Sequence, residues 1–241
     1  MKVAPIQTQN ARLILQYARE ARDGFQKLCD EIRLSRTVTG GALTHVEQDL
    51  LRAMVVFAAA GLDALVKRLM RDALPTLSTK DKAVQQELET FVVKQLRGDL
   101  SADESDAATG RKFLGRVLVS RNPLLGVTEQ YIRDLTGESM QSPEQVFRAA
   151  KAFGVEPLAE LHLEKGRLKD IFDTRNEIIH EMDIDLESRG RGTRKRRSRT
   201  VDEMADAADY LLQIAERLID AVEQRLVTPT PIQVPLFRPS R

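Results

Sequence analysis
The sequence predicts an all-α protein, an antiparallel helical bundle with an irregular helical insertion. Three observations predict it. Apolar residues recur at helical spacing through four long segments. Ser or Thr stands three residues before Glu or an equivalent partner at several segment starts. No pair of alternating apolar runs joined by a tight turn marks a hairpin.

The first helix is expected from Gln9 to about Leu34, with Leu13, Leu15, Tyr17, Ala21, Phe25 and Leu28 on its apolar side. "TVTGG" breaks it. Thr44 and Glu47 form a capping box for a second helix that carries Leu50, Met54, Phe57, Gly61, Leu65 and Leu69 on one stripe. Small residues at 58–61 invite close approach of a neighbour, and Pro75 is expected to close the helix. Ser78 and Asp81 offer the next start, before "VQQELETFVVKQL". "RGDLSADESDAATG" is acidic and small and reads as a loop.

Residues 97–155 break into short pieces and read as an insertion in the domain, which spans 1–226. One piece runs from cap Thr128 to stop Gly137. Another has Ser142 as cap, Pro143 in the first turn and Gly154 as stop. A long helix follows from about Glu156 to Asp183, with Gly166 as an interruption. Residues 187–200 form a basic flexible loop. Thr200 and Glu203 start the last helix, and 227–241 is a Pro-rich extended tail.

Composition narrows the function. The chain has 241 residues, net charge +1 and one cysteine. That length buries a real core. A near-neutral balance excludes a globally basic nucleic-acid binder and leaves a local patch. Cys29 alone cannot form an intrachain disulfide, fits a reducing cytoplasm and is expected to pack as a small apolar residue. No apolar run reaches the length of a membrane span, so no membrane partner is expected. His45 and His162 lack metal-ligand spacing, no phosphate-binding Gly-rich loop occurs, and no metal or cofactor is expected.

The candidate chemistry lies in "DTRNEIIHEMD", 173–183. On a helical wheel Asn176 and His180 differ by about 40° and share a face, while Arg175 lies about 140° from His180. Ile178 and Ile179 would anchor the helix between them. Arginine offers a planar fork to a phosphate. Histidine moves protons near neutrality. Asparagine orients an oxygen or the imidazole. RNA suits this set, because its 2′-hydroxyl is an internal nucleophile. Yet an Arg five residues before some His arises by chance roughly one time in four here, so spacing alone favours an ordinary helix.

"RNEIIHEMDI", 175–184, resembles the signature of the HEPN superfamily: Arg, a polar residue, then His after four to six intervening residues. The trailing "HEMDI" resembles its RiboL-PSP-HEPN branch. "FAAAGLDALVKRLMRD" and "TVDEMADAADYLLQIAERLID" are similar to two other elements of the family. The resemblance covers about half the chain, residues 44–74 and 166–226, and leaves the central region unplaced. It implies a helical homodimer and a metal-independent endoribonuclease of toxin–antitoxin or anti-phage defence, with an antitoxin or sensor encoded nearby. Its site is composite, with Arg and His from both subunits. Carried over by position, Arg175 binds the scissile phosphate, His180 transfers protons and Asn176 orients them. One HEPN subgroup has a Tyr two residues after the His that its partner modifies. Met182 stands there, so that modification is not expected.

The basic run supplies Arg189, Arg191, Arg194, Lys195, Arg196, Arg197 and Arg199 as RNA-binding candidates. Its plain alternative is a solvated linker. Two other functions stay open. A non-catalytic HEPN-type module would dimerise and bind RNA or a partner protein through the same surface. A regulator would bind no nucleic acid.

Overall fold
A computed structural model describes residues 5–35, 42–97, 112–115, 117–185 and 196–228. The acidic loop, four of the basic candidates (Arg189, Arg191, Arg194 and Lys195) and the Pro-rich tail beyond 228 lie outside them. Among the described residues there is no strand, only one isolated antiparallel bridge between Ile184 and Arg196. No described helix is long and apolar enough to cross a membrane.

Among the described residues the fold is carried by α1 (Ile6–Leu34), α2 (His45–Lys80), α3 (Lys82–Arg97), α4 (Pro123–Thr136), α5 (Pro143–Ala152), α6 (Lys165–Glu181) and α7 (Val201–Val227). A short helical piece over 112–115 precedes α4. The axis of the molecule is α2. Met54 and Leu65 on one side and Met70 and Leu74 on another are all fully buried. That is what a helix surrounded by others requires.

α1 lies antiparallel to α2. Phe25 meets Phe57 with ring centroids 5.3 Å apart, and Asn10 bonds Asp72 at the other end. The two helices touch closely at Gly61, where a Cβ would lie 2.6 Å from Ala18 Cβ. The small residues at 58–61 therefore do permit close approach. The buried stripe of α1 differs from the expected one: Ala11, Leu15, Ala18 and Cys29 face in, whereas Leu13, Tyr17 and Leu28 are exposed. Small residues win the interface because the backbones are too close for large ones. On α2, Phe57 is likewise half exposed rather than central.

α7 also runs antiparallel to α1. Arg12 pairs with Asp220 and Glu223, Arg19 with Glu216 and Arg22 with Asp209. Such surface pairs contribute little stability each; their ordered descent fixes the register. With α1 antiparallel to both, α2 and α7 run parallel to each other. α6 returns antiparallel to α7: the Tyr210 hydroxyl accepts the Glu164 N–H, Arg167 pairs with Asp206, and Arg199 reaches Glu177.

Several boundaries differ from those the sequence predicts. α2 passes through Pro75 to Lys80. Proline costs a helix about 3 kcal/mol, but Leu74 and Leu77 are buried on either side, each worth roughly 1.5–3 kcal/mol. Ser78 therefore lies inside α2 and bonds back to the Pro75 carbonyl. Asp81 alone makes the junction, its Oδ1 accepting the N–H groups of Ala83 and Val84. α4 starts at cap Asn122 with Pro123 in the first turn, and Thr128 is buried inside it, bonded to the Leu124 carbonyl. α6 begins only at Lys165. Leu161 and Leu163 are both buried, with exposed His162 between them. His162 has a left-handed backbone (φ 48), so the chain turns there instead of continuing a helix. The starts at Thr44 and Ser142 are full capping boxes. At Thr200 only half the box forms, because Glu203 pairs with Arg199 instead.

The central region joins the same core. Val127, Tyr131 and Leu135 of α4 and Val146, Ala149 and Ala150 of α5 are buried in it. In this the region is part of the bundle rather than an appendage.

Candidate functional site
The C-terminal end of α6 meets the N-terminal ends of α2 and α7. This junction is electrostatically matched, since the negative end of one helix faces the positive ends of two others. The motif residues sit just before it.

Arg175 and Asn176 are brought together. Arg175 Nη1 donates to Asn176 Oδ1 at 2.9 Å, which fixes the guanidinium against the amide. Arg175 Nε is buried and has no hydrogen-bond partner. His180 is exposed and makes no side-chain hydrogen bond to a described residue. No hydrogen bond joins His180 to Arg175 or Asn176. Ile178 is buried, as an anchor should be. Ile179 is 39% exposed and Met182 60% exposed. The expectation that both isoleucines hold the helix to the core is thus half right. A 100° step turns the second one outward.

The three described members of the basic run have other engagements. Arg196 Nη1 pairs with Asp49 at 2.6 Å, and its Nε donates to the Met182 carbonyl. Arg197 pairs with Glu177, and its N–H donates to the Asp183 carbonyl. Arg199 reaches Glu177, Asp183 and Glu203 at once and is largely buried. Gln48 exchanges two hydrogen bonds with the Arg199 backbone. Residues 196–199 are therefore a strap packed on the bundle, not a solvated loop. The charges find carboxylates that the sequence spreads over α2, α6 and α7.

Asp183 is the centre of this arrangement. Its side chain is fully buried. Oδ2 accepts from Arg52 Nε at 2.8 Å, and Oδ1 accepts from Arg199 Nη2 at 2.8 Å. Burial pushes the carboxyl up, but Arg199 and Arg52 more than offset it and hold it below the usual carboxylate range. Arg52 also donates to the Arg197 carbonyl at 2.7 Å and pairs with Asp49. Sequence reasoning missed Arg52 and Asp183 as a pair. A signal existed: Gln48 and Arg52 are polar residues four apart, in line with the buried side of α2. Their partners are more than a hundred residues away, which no local pattern reveals.

Among the described residues no three His, Cys, Asp or Glu side chains gather as metal ligands. Cys29 is buried, and burial raises its thiol above the ordinary value, as suits a packing residue. An open apolar groove between α3 and α4, lined by Leu88, Val92, Val93, Leu124 and Val127, includes no motif residue. Compared with known proteins, the chain matches no family model, no curated protein and no solved structure.

Proposed function
We propose that the protein is a metal-independent endoribonuclease of a toxin–antitoxin or anti-phage system, acting through Arg175, Asn176 and His180. The observation that carries this reading is the edge of α6. A guanidinium held by an amide and an exposed imidazole stand within two turns, on a helix anchored by Leu168, Phe172 and Ile178. The resemblance of "RNEIIHEMDI" to the HEPN signature supports it from the sequence side.

In the proposed reaction the 2′-oxygen attacks the adjacent phosphorus and the 5′-oxygen leaves. His180 moves the proton at the attacking or the leaving oxygen. Arg175 stabilises charge on the phosphorane. No hydrogen bond links the two groups, and the resemblance implies a composite site, so the reading calls for a second copy to complete it. Exposed Ile179 and Met182 beside His180 supply apolar surface for that contact.

The test is incubation of purified protein with total RNA and with tRNA in EDTA. The expected products carry a 2′,3′-cyclic phosphate and a 5′-hydroxyl. His180→Ala is expected to slow cleavage about a hundredfold to ten-thousandfold. Arg175→Ala should cost on the order of a hundredfold or more, and Asn176→Ala less. Wild-type rates from His180→Ala, or activity only with Mg²⁺ giving 5′-phosphates, would overturn the reading. RNA bound but never cut would favour the non-catalytic module instead.

A further inference from the structure
α6 ends on two consecutive residues in the left-handed region, Met182 (φ 53) and Asp183 (φ 59). Neither is glycine, and left-handed backbone is unfavourable for an L side chain. Such strain persists only where the surroundings over-determine it, and here they do. The N–H groups of Met182 and Asp183 both donate to the Glu177 carbonyl. The Met182 carbonyl accepts from Arg196 Nε, and the Asp183 carbonyl from the Arg197 N–H. The buried Asp183 carboxylate then binds two guanidinium groups, one from α2 and one from the strap.

We infer that Asp183 is a positioning residue: its carboxylate, gripped by Arg52 and Arg199, fixes the last turn of α6, and with it His180 and the Arg175–Asn176 pair, against the bundle. The inference rests on the ribonuclease reading of α6. Asp183 touches no RNA in this role, because its side chain has no exposed surface. Nor does it move protons, because two guanidinium groups hold it as the carboxylate. It acts through the place it gives His180, three residues earlier. Displacing a reacting group by about 1 Å costs on the order of a hundredfold in rate. Substrate binding, spread over many phosphate contacts, changes far less.

Two variants separate this role from stopping the helix. Asp183→Gly suits the left-handed backbone but removes the grip. Asp183→Asn tolerates the backbone and keeps an acceptor, but loses the charge. Asp183→Gly is expected to fold with wild-type helix content and to lose kcat by about tenfold to a hundredfold, with KM within about twofold. Asp183→Asn should recover part of the loss. In the free protein, amide exchange at 178–182 should quicken at least about tenfold in Asp183→Gly, while α1 amides stay protected. Wild-type kcat in a folded Asp183→Gly protein overturns the inference. So does unchanged exchange at 178–182, even where cleavage is lost. If Asp183→Gly does not fold, the same two readouts are taken on Asp183→Asn and decide in the same way. If the wild-type protein cuts no RNA, the ribonuclease reading fails, and exchange alone decides whether Asp183 holds the turn.

Discussion
Arg199 divides one guanidinium among Glu177, Asp183 and Glu203. In sequence it is the last member of a basic run, and nothing local separates it from its neighbours. In the fold it is the cation of a buried pair. The cost of desolvating such charges is met only when every partner is present. The cluster therefore responds to pH through its acids. Asp183 is held below the usual carboxylate range. Glu216, bonded by Arg19, is lowered as well, and so is Glu223, where Arg12 and Thr8 outweigh burial. The folded protein takes up these protons less readily than the unfolded chain. Their stabilisation is fully present above the unfolded values near about 4 and is lost as pH falls through the lower folded ones. Urea midpoints measured from pH 6 down to pH 2 are expected to fall steadily below about pH 4. Asp183→Asn should show a shallower fall, since one of the three acids is gone. A variant that tracks wild type through this range would show that Asp183 carries no linkage.

At the scale of elements, α2 depends on close approach and the strap depends on pairing. Gly61→Ala sets a methyl 2.6 Å from Ala18 Cβ, on a neighbouring helix that cannot rotate away. Overpacking of this kind costs roughly 1–3 kcal/mol, against a gain of about 1 kcal/mol in helix propensity. A lower thermal midpoint is expected, and Ala18→Gly in the same chain should recover part of it. The strap gives a second contrast. Arg196 and Arg197 tie Asp49, Glu177 and the 182–183 backbone together. Replacing both with Ser should therefore lower stability measurably, whereas a solvated linker would tolerate the change. On the proposed ribonuclease reading, replacing Arg194 and Lys195 should weaken RNA binding and flatten its salt dependence. Denaturation curves and binding at two salt concentrations check both halves. The helix starts at Thr44, Ser142 and Thr200 were legible, because a cap and its partner lie three residues apart. The end expected at Pro75 and the starts of α4 and α6 were not, because distant packing decides them.

For the whole molecule, the proposed site predicts a symmetric homodimer with isologous contact through α6. Light scattering at micromolar concentration should report about twice the 27.1 kDa of one chain. A monomer that still cleaves RNA would remove the need for a composite site. By itself the sequence determined the helical class, the helix starts at Thr44, Ser142 and Thr200, and the presence of Arg175, Asn176 and His180 on one helix. These follow from spacings of three and four residues, which one turn of helix makes into neighbours. Only the tertiary structure decided that α2 and α7 run parallel, that Arg196, Arg197 and Arg199 form a strap, and that Asp183 lies buried against Arg52. Those pairs are up to about 150 residues apart in the chain. Their energy comes from removing charges and apolar surface from water together, and no local pattern records which distant group will be there to share it.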